Sequence, residues 1–328
     1  MHNQTYIIAE IGINHEGDVG VCEQMITAAA ESGADAVKLQ TINADANYVI
    51  GSESYDIFKG SELTQEETAR MFELASKYNL DIFTTAGDIK TINWVNQLNP
   101  SHWKISSGLL THIPIVSYLA SLGKPLLVST GMASIEDIDL AIEAIKSNGN
   151  HDISLLQCTS IYPTPTEDIN LSTINWLSYR YGFPVGFSDH SLGDDAVFLS
   201  IGAGASIIEK HFSLDTSRPG FDHKISLDMA GLTRMVSRVR LAEKMMGSDE
   251  KIVTKAISLT RDKYLRYIVA LQPIMSGDIF SHSNLGIKRS LVGSSGIEPK
   301  FYEDIIGCSS LANIKVDQLI QHDDVEDA

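Results

Sequence analysis

Pro125-Leu126-Leu127-Val128-Ser129-Thr130 runs apolar for four residues and then ends on two hydroxyls. Unbroken apolarity, rather than alternation, is what a parallel strand needs when both of its faces are covered. Outward from this stretch the same pattern recurs at Tyr6–Glu10, Ala36–Gln40, Asp81–Thr85, His102–Ser107, Ile153–Thr159, Pro184–His190 and Ser206–His211. Eight such runs, each turning toward a helix, predict a (β/α)8 TIM barrel of the α/β class, whose active site lies at the C-terminal ends of the strands. Those ends carry Glu10, Lys38 with Gln40, Thr85, Lys104 with Ser107, Ser129, Thr159, His190 and His211. Cations, hydroxyls, a carboxylate and two imidazoles suit a charged, oxygen-rich substrate.

The intervening segments carry helix signals. Thr64 with Glu67 fits a capping box, followed by Phe72 and Ala75 on a buried stripe. Ser134 caps a helix with Glu136 and Asp137 in its first turn and Ile138, Ile142 and Ile145 on its apolar face. A last helix over Met229–Met246 turns Leu232, Met235, Val236, Val239 and Ala242 inward and stops at Gly247. Residues 1–247 therefore read as the barrel. Residues 248–263 are polar, contain no convincing strand and read as a linker with room for a short helix. Residues 264–328 read as a small, mostly β domain, with strands at Tyr267–Ala270, Asn284–Lys288 and Ala312–Val316 and a turn at Ser276–Asp278. The acidic end from His322 onward is expected to fray.

The chain has 328 residues, 43% of them hydrophobic and 20% charged, with a net charge of −17. That charge argues against nucleic acid or an anionic membrane as partner, while a local cluster of lysines can still hold a small anion. Cys22, Cys158 and Cys308 are far apart and form no pairing framework, which points to a reducing cytoplasm. The first strand begins too early for a secretory leader, and no apolar run approaches the roughly 20 residues that span a bilayer.

Four groups carry chemistry. His190 and His211 end neighbouring strands and can share a divalent metal, with Asp189 and Glu209 as further ligands or supports. Taken singly, each histidine fits a hydrogen-bonded rim residue better than a ligand; it is the matched pair on adjacent strands that favours the metal. Lys38 and Lys104 can bind phosphate or carboxylate, form a Schiff base, or simply pair with Glu10. Thr85, Ser107, Ser129, Ser160 and Ser188 recur at the same strand end and together suggest an oxyanion site. The loops Ile11–Asp18 and Arg218–His223 follow the first and last strands, and the second can place Asp222 over the pocket.

Several strings resemble the sialic acid synthase family: Ala9–Gly17, Lys38–Gln40, Lys104–Gly108, Ser129–Met132, Gln157–Pro165, Gly186–His190, Glu209–Phe212 and Arg218–Asp222, in that family's order. The end of the chain, with Ser276–Asp278, Asn284 and Lys288-Arg289, resembles the family's antifreeze-like (SAF) domain. The resemblance implies condensation of phosphoenolpyruvate with an N-acylated mannose-type sugar, giving a nine-carbon 2-keto acid and phosphate. It implies that His190 and His211 hold a divalent cation, manganese for choice and magnesium or cobalt as substitutes. It places Lys38, Thr85, Lys104, Ser107, Ser129, Ser160, Tyr162 and Ser188 on phosphoenolpyruvate, Gln40, Tyr162, Asp222 and Arg289 on the sugar, and Glu10 and Asp222 in the chemistry. Arg289 would reach the partner's barrel in a domain-swapped homodimer. The chain departs from the family's pattern on the sugar side. Leu109 replaces an acid, Thr85-Ala86-Gly87 replaces Thr-Pro-Phe, and Ser290 replaces a proline. A diacetamido-6-deoxyhexose therefore stands beside N-acetylmannosamine as acceptor. A Schiff-base aldolase and a non-catalytic sugar-binding barrel are the alternatives.

Overall fold

The computed structural model describes residues 4–326 and divides into two compact units, at Ser248/Asp249. In the first unit eight parallel strands close into a barrel: β1 (Tyr6–Gly12), β2 (Ala36–Gln40), β3 (Asp81–Thr85), β4 (Trp103–Ile105), β5 (Leu126–Ser129), β6 (Ile153–Cys158), β7 (Val185–Asp189) and β8 (Ile207–His211). Each strand pairs with its sequence neighbour, and β1 closes on β8 with Glu10 opposite His211. β4 is shorter than its sequence suggests, because Ser106 and Ser107 leave the ladder to form the rim.

The barrel interior is built in layers, as the two-residue period of a strand requires. Ile8, Ala36, Phe83, Leu127, Leu156 and Ile207 pack together as an apolar layer. Two residues further along the same strands stand Glu10, Lys38, Thr85, Ser129, Cys158 and Glu209, so the apolar plug is the floor of a polar chamber. Gly186 on β7 keeps the floor closed. A Cβ there would lie 2.5 Å from the Ile207 carbonyl oxygen and 2.6 Å from Leu156 Cδ2.

The opposite strand faces pack against the helices. Thr64 and Glu67 form the expected capping box ahead of the helix Gln65–Lys77, which buries Met71, Phe72 and Ala75. Ser134 and Asp137 do the same for Ile135–Ser147. The helix Met229–Met246 buries Leu232, Met235, Val236, Val239 and Ala242, the face its sequence assigns inward. Among the described residues no helix is long and apolar enough to cross a membrane.

A buried ion pair joins β7 to β8 behind the chamber. Lys210 Nζ lies 2.7 Å from Asp189 Oδ2 and donates to the Ser191 carbonyl at 2.5 Å, and Asp189 Oδ1 accepts from Ser191 N at 2.8 Å. Both oxygens of Asp189 are therefore engaged away from the histidines, which answers the expectation that it supports a metal.

In the second unit a helix, Lys255–Tyr264, occupies most of the segment that reads as linker. β9 (Arg266–Ala270) and β10 (Leu285–Arg289) pair antiparallel over a core that includes Ile268, Phe280, Leu285, Ile297 and Ile320. Ala312–Val316 forms no strand. Only Ile314 bridges, to Ile274, because the chain turns again immediately. Nor does the described part of the end fray: His322–Asp324 forms a 3-10 turn, and Val325 bridges Ser310 and packs on the core. Ala328 and the residue before it lie outside the described residues.

Removing one member of the Asp189–Lys210 pair leaves the other charge buried. Lys210→Met is expected to destabilise the barrel by about 3–5 kcal/mol, read as a lower urea midpoint. Adding Asp189→Leu to it should recover part of that loss, and a single variant as stable as the parent would show that the pair is dispensable.

Candidate functional site

The polar chamber is first a lattice of charges. Lys38 Nζ is 2.8 Å from Glu10 Oε1 and 3.9 Å from Glu209 Oε2, and Lys104 Nζ is 2.9 Å from Glu209 Oε1. All four side chains are at most 5% exposed. Gln40 Nε2 donates to Glu10 Oε1 at 3.0 Å and Ser188 Oγ to Glu209 Oε1 at 2.8 Å. Burial pushes the Glu10 carboxyl up to about 7 against the pull of Lys38, with Glu209 adding to the rise. Burial also works to raise Glu209, but Lys104 and Lys38 outweigh it and hold that carboxylate well below its usual range. Burial lowers Lys104, whereas Glu10 and Glu209 overcome the same effect at Lys38 and raise it. Glu209 is thus the counter-ion of Lys104 and, at longer range, of Lys38. The signal lay in the register, which sets Ser188 beside Glu209 and Asp189 beside Lys210.

Hydroxyls line the same level. Ser107 Oγ accepts from Gly131 N at 2.9 Å. A Cβ on Gly131 would meet Ser160 Oγ at 2.6 Å, Cys158 Sγ at 2.8 Å and Ser107 Oγ at 2.9 Å, so these three groups converge on one bare backbone atom. Among the described residues nine buried side-chain nitrogen or oxygen atoms make no hydrogen bond within the chain, and five lie here: Glu10 Oε2, Thr85 Oγ1, Ser129 Oγ, Glu209 Oε2 and His211 Nδ1. Buried polar groups are otherwise paired, so the strand ends are where this fold leaves hydrogen-bonding capacity for a ligand.

The two histidines stand above the lattice with ring centroids 5.4 Å apart. Tyr162 stacks on His190 at 4.1 Å. His190 Nδ1–H donates to the Thr159 carbonyl at 2.8 Å, which leaves Nε2 as the lone-pair nitrogen. Burial lowers both imidazoles, so both are neutral and able to donate to a cation. His211 Nδ1 is 3.6 Å from Asp222 Oδ2. No group of three or more His, Cys, Asp or Glu side chains is assembled for a metal among the described residues. The donor set available to a cation is this pair, and the pair's neutral nitrogens, one of them unbonded, fit an ion that takes its remaining ligands from substrate and water.

Asp222 is placed by a seam between the first and last loops, which sequence reasoning missed. Asn14 Nδ2 donates to the Phe212 carbonyl at 2.9 Å and to Ser226 Oγ at 3.0 Å, while its Oδ1 accepts from Asp222 N at 3.2 Å. Ser226 Oγ donates to the Asp222 carbonyl at 2.7 Å. Beside it His223 bridges Glu16 and Ser213, each at 2.8 Å, and Arg218 donates to Glu16 at 2.9 Å. A polar loop after a first strand gives no such pattern in sequence, since all its partners lie about two hundred residues away.

Of the residues singled out in the sequence, Glu10, Lys38, Gln40, Thr85, Lys104, Ser107, Ser129, Ser160, Tyr162, Ser188, His190, His211 and Asp222 all gather at the C-terminal end of the barrel. Arg289 stands on β10 in the second unit, its guanidinium 5.2 Å from the Tyr264 ring.

Comparison with known proteins fits this geometry. Residues 25–251 match the NeuB family and residues 266–326 the SAF domain. An uncharacterised protein of Methanocaldococcus jannaschii is 39% identical over 98% of this chain and 94% of its own. The N,N'-diacetyllegionaminic acid synthase of Legionella pneumophila is 33% identical over 98% of this chain and 94% of its own. The crystal structure of N-acetylneuraminic acid synthetase from Leptospira borgpetersenii, in complex with citrate, superposes with a TM-score of 0.76 at 32% identity, covering 78% of this chain and 90% of that one. With a closed eight-stranded barrel, a SAF domain match later in the sequence and a family match across most of its length, the chain belongs to the NeuB family.

Proposed function

We propose that this protein is a transferase that condenses phosphoenolpyruvate with the open-chain form of an N-acylated mannose-type sugar, by C–O cleavage, to give a nonulosonic acid and phosphate. The observation that carries this reading is the pair of buried lysines at the barrel mouth with the unbonded hydroxyls of Thr85 and Ser129 on the same level. A small trianion is the kind of ligand such a chamber stabilises. The relatives named as synthases of N,N'-diacetyllegionaminic and N-acetylneuraminic acid make products of the same class.

In this reading Lys38, Lys104, Thr85, Ser107, Ser129, Ser160, Tyr162 and Ser188 bind the phosphate and carboxylate of phosphoenolpyruvate. Gln40, Tyr162 and Asp222 orient the sugar. A divalent cation on His190 and His211, manganese for choice with magnesium or cobalt as substitutes, supplies polarisation of the aldehyde when bound. The methylene carbon of phosphoenolpyruvate forms a bond to the aldehyde carbon, whose oxygen takes up a proton. Positive charge appears at the enol ether carbon, and water adds there as Glu10 takes its proton. The tetrahedral carbon then breaks its bond to the bridging oxygen, phosphate leaves with the electron pair, and the remaining hydroxyl passes its proton to the departing phosphate as the ketone forms. Glu10 suits the role of base because burial has raised its proton affinity toward neutrality. Asp222 is held by Asn14 over the aldehyde end, where its carboxyl can hydrogen-bond the reacting oxygen. The reading includes a domain-swapped homodimer in a reducing cytoplasm, with Arg289 completing the sugar site of the partner's barrel.

Phosphate release from phosphoenolpyruvate, with manganese and either N-acetylmannosamine or 2,4-diacetamido-2,4,6-trideoxymannose, tests the reaction. Release is expected with at least one sugar, abolished by EDTA and restored by manganese. His190→Ala should lose both metal and turnover. Turnover that survives chelation, with Lys104 trapped by borohydride in the presence of substrate, would instead establish the Schiff-base aldolase. Glu10→Gln is expected to lower kcat by about 10²–10⁴-fold, and undiminished turnover would remove Glu10 from the chemistry. For the dimer, sedimentation should give twice the chain mass, and Arg289→Ala should raise the KM for the sugar while leaving that for phosphoenolpyruvate in place. A monomer with full activity would overturn the swapped arrangement.

A further inference from the structure

We propose that Glu16 is a positioning residue that holds Asp222 over the barrel mouth; this rests on the function proposed above, in which Asp222 meets the reacting oxygen. The Glu16 carboxylate faces Arg218 and His223, and it acts on the chemistry only through Asp222.

The two loops that Glu16 joins differ in firmness. The loop after β1 is a fixed wall. Ile13, Asn14 and His15 are buried, and successive turns tie the backbone to itself. Asn14 N donates to the Ile11 carbonyl at 3.0 Å, Glu16 N to the Ile13 carbonyl at 2.9 Å and Asp18 N to the His15 carbonyl at 2.9 Å. Gly17 is wedged against the segment ahead of the helix Gln65–Lys77: a Cβ there would lie 2.6 Å from the Gly60 carbonyl oxygen. The loop after β8 has less cover. Residues 214–221 are exposed apart from half-buried Thr216, and the chain regains cover at half-buried Asp222 and buried His223.

Glu16 spends both carboxylate oxygens on this second loop. Oε2 accepts from Arg218 Nη2 at 2.9 Å, and Oε1 accepts from His223 Nε2 at 2.8 Å. A carboxylate only accepts, so that imidazole nitrogen carries the proton. The two contacts bracket residues 219–222, and Asp222 lies inside the bracket. Phe221 lies there too, with φ at +46°, in the left-handed region that a bulky side chain rarely adopts. Glu16, across the contact, is left-handed as well, at +50°. Such conformations persist only where the surroundings over-determine them. Phe221 directly precedes Asp222, so relaxing its φ swings the Asp222 carboxylate. Asn14 and Ser226 hold the Asp222 backbone N–H and carbonyl, and neither restrains residue 221 or the carboxylate itself. That carboxylate reaches toward His211, whose Nδ1 lies 3.6 Å from Oδ2 and is otherwise unbonded among the described residues. The bracket closed by Glu16 therefore decides where the Asp222 side chain stands.

The test is a double-mutant cycle read by phosphate release, with phosphoenolpyruvate, manganese and the sugar that is turned over. Glu16→Ala is expected to lower kcat about tenfold or more, because misplacing a catalytic group by an ångström costs turnover steeply. The KM for phosphoenolpyruvate should move less than about twofold, because the lysine chamber is untouched. Glu16→Gln keeps an acceptor for His223 and should recover most of the loss. In an Asp222→Asn background Glu16→Ala should cost less than about a further twofold, since the group it positions is already gone. An unchanged kcat in Glu16→Ala, a KM for phosphoenolpyruvate that rises in step with the loss, or losses that multiply in full in the double variant overturns the proposal. Amide hydrogen exchange reads the same role without turnover, so it decides when Asp222→Asn is inactive or the parent releases no phosphate. A silent parent overturns the proposed reaction. Faster exchange in Glu16→Ala, confined to residues 218–222 and reversed in Glu16→Gln, still keeps the positioning role. Exchange that is unchanged there, or raised across the barrel, overturns it.

Discussion

Two ammonium groups and two carboxylates share the inside of one barrel, on β1, β2, β4 and β8. Their mutual pairing makes their burial tolerable, since any one of them alone in that chamber would be strongly destabilising. They also set the character of everything above them. The lattice holds Lys38 charged and Glu209 ionised, raises the proton affinity of Glu10, and leaves one oxygen on each glutamate unbonded. In the proposed reaction an anion entering the chamber meets lysines already positioned and competes with carboxylates for them. Catalysis by preorganised charge needs such an arrangement.

The barrel was legible in the sequence because parallel strands covered on both faces must be continuously apolar, and the change to polar residues marks each strand's end. Leu126–Ser129 and Val185–Asp189 show this plainly. The strand-end position of the lysines, hydroxyls and histidines followed directly. Partner choice was not legible. Asp189 directly precedes His190 and Glu209 lies two residues before His211, but alternation sends the two carboxylates to opposite faces of neighbouring strands, and each finds a lysine there. In the second unit, short segments such as Ala312–Val316 carry strand-like composition without a neighbour in register, so composition alone overstated them.

The loops beside the chamber show the same division between legible and hidden. Leu109 and Gly87 stood out as departures from a pattern, but only coordinates reveal that they open one cavity and that Asn47, from a short helix after β2, fills the space a side chain would have taken. The seam through Asn14 is hidden for another reason. It ties the loop after the first strand to the loop after the last, and no local signal in either loop names the other.

The Lys104–Glu209 contact spans 105 residues of chain. During synthesis, β1 and β2 emerge early and Lys38 finds Glu10 within a short stretch, but Lys104 must wait until β8 has left the ribosome. Until then the strands already made carry both lysines and only one of the two carboxylates that pair with them. The last strand brings the missing charge together with the hydrogen bonds that close the ring, so the chamber reaches neutrality in the same event that completes the cylinder. A polypeptide arrested before β8 therefore lacks both the strand that closes the wall and one of the two carboxylates that balance the lysines.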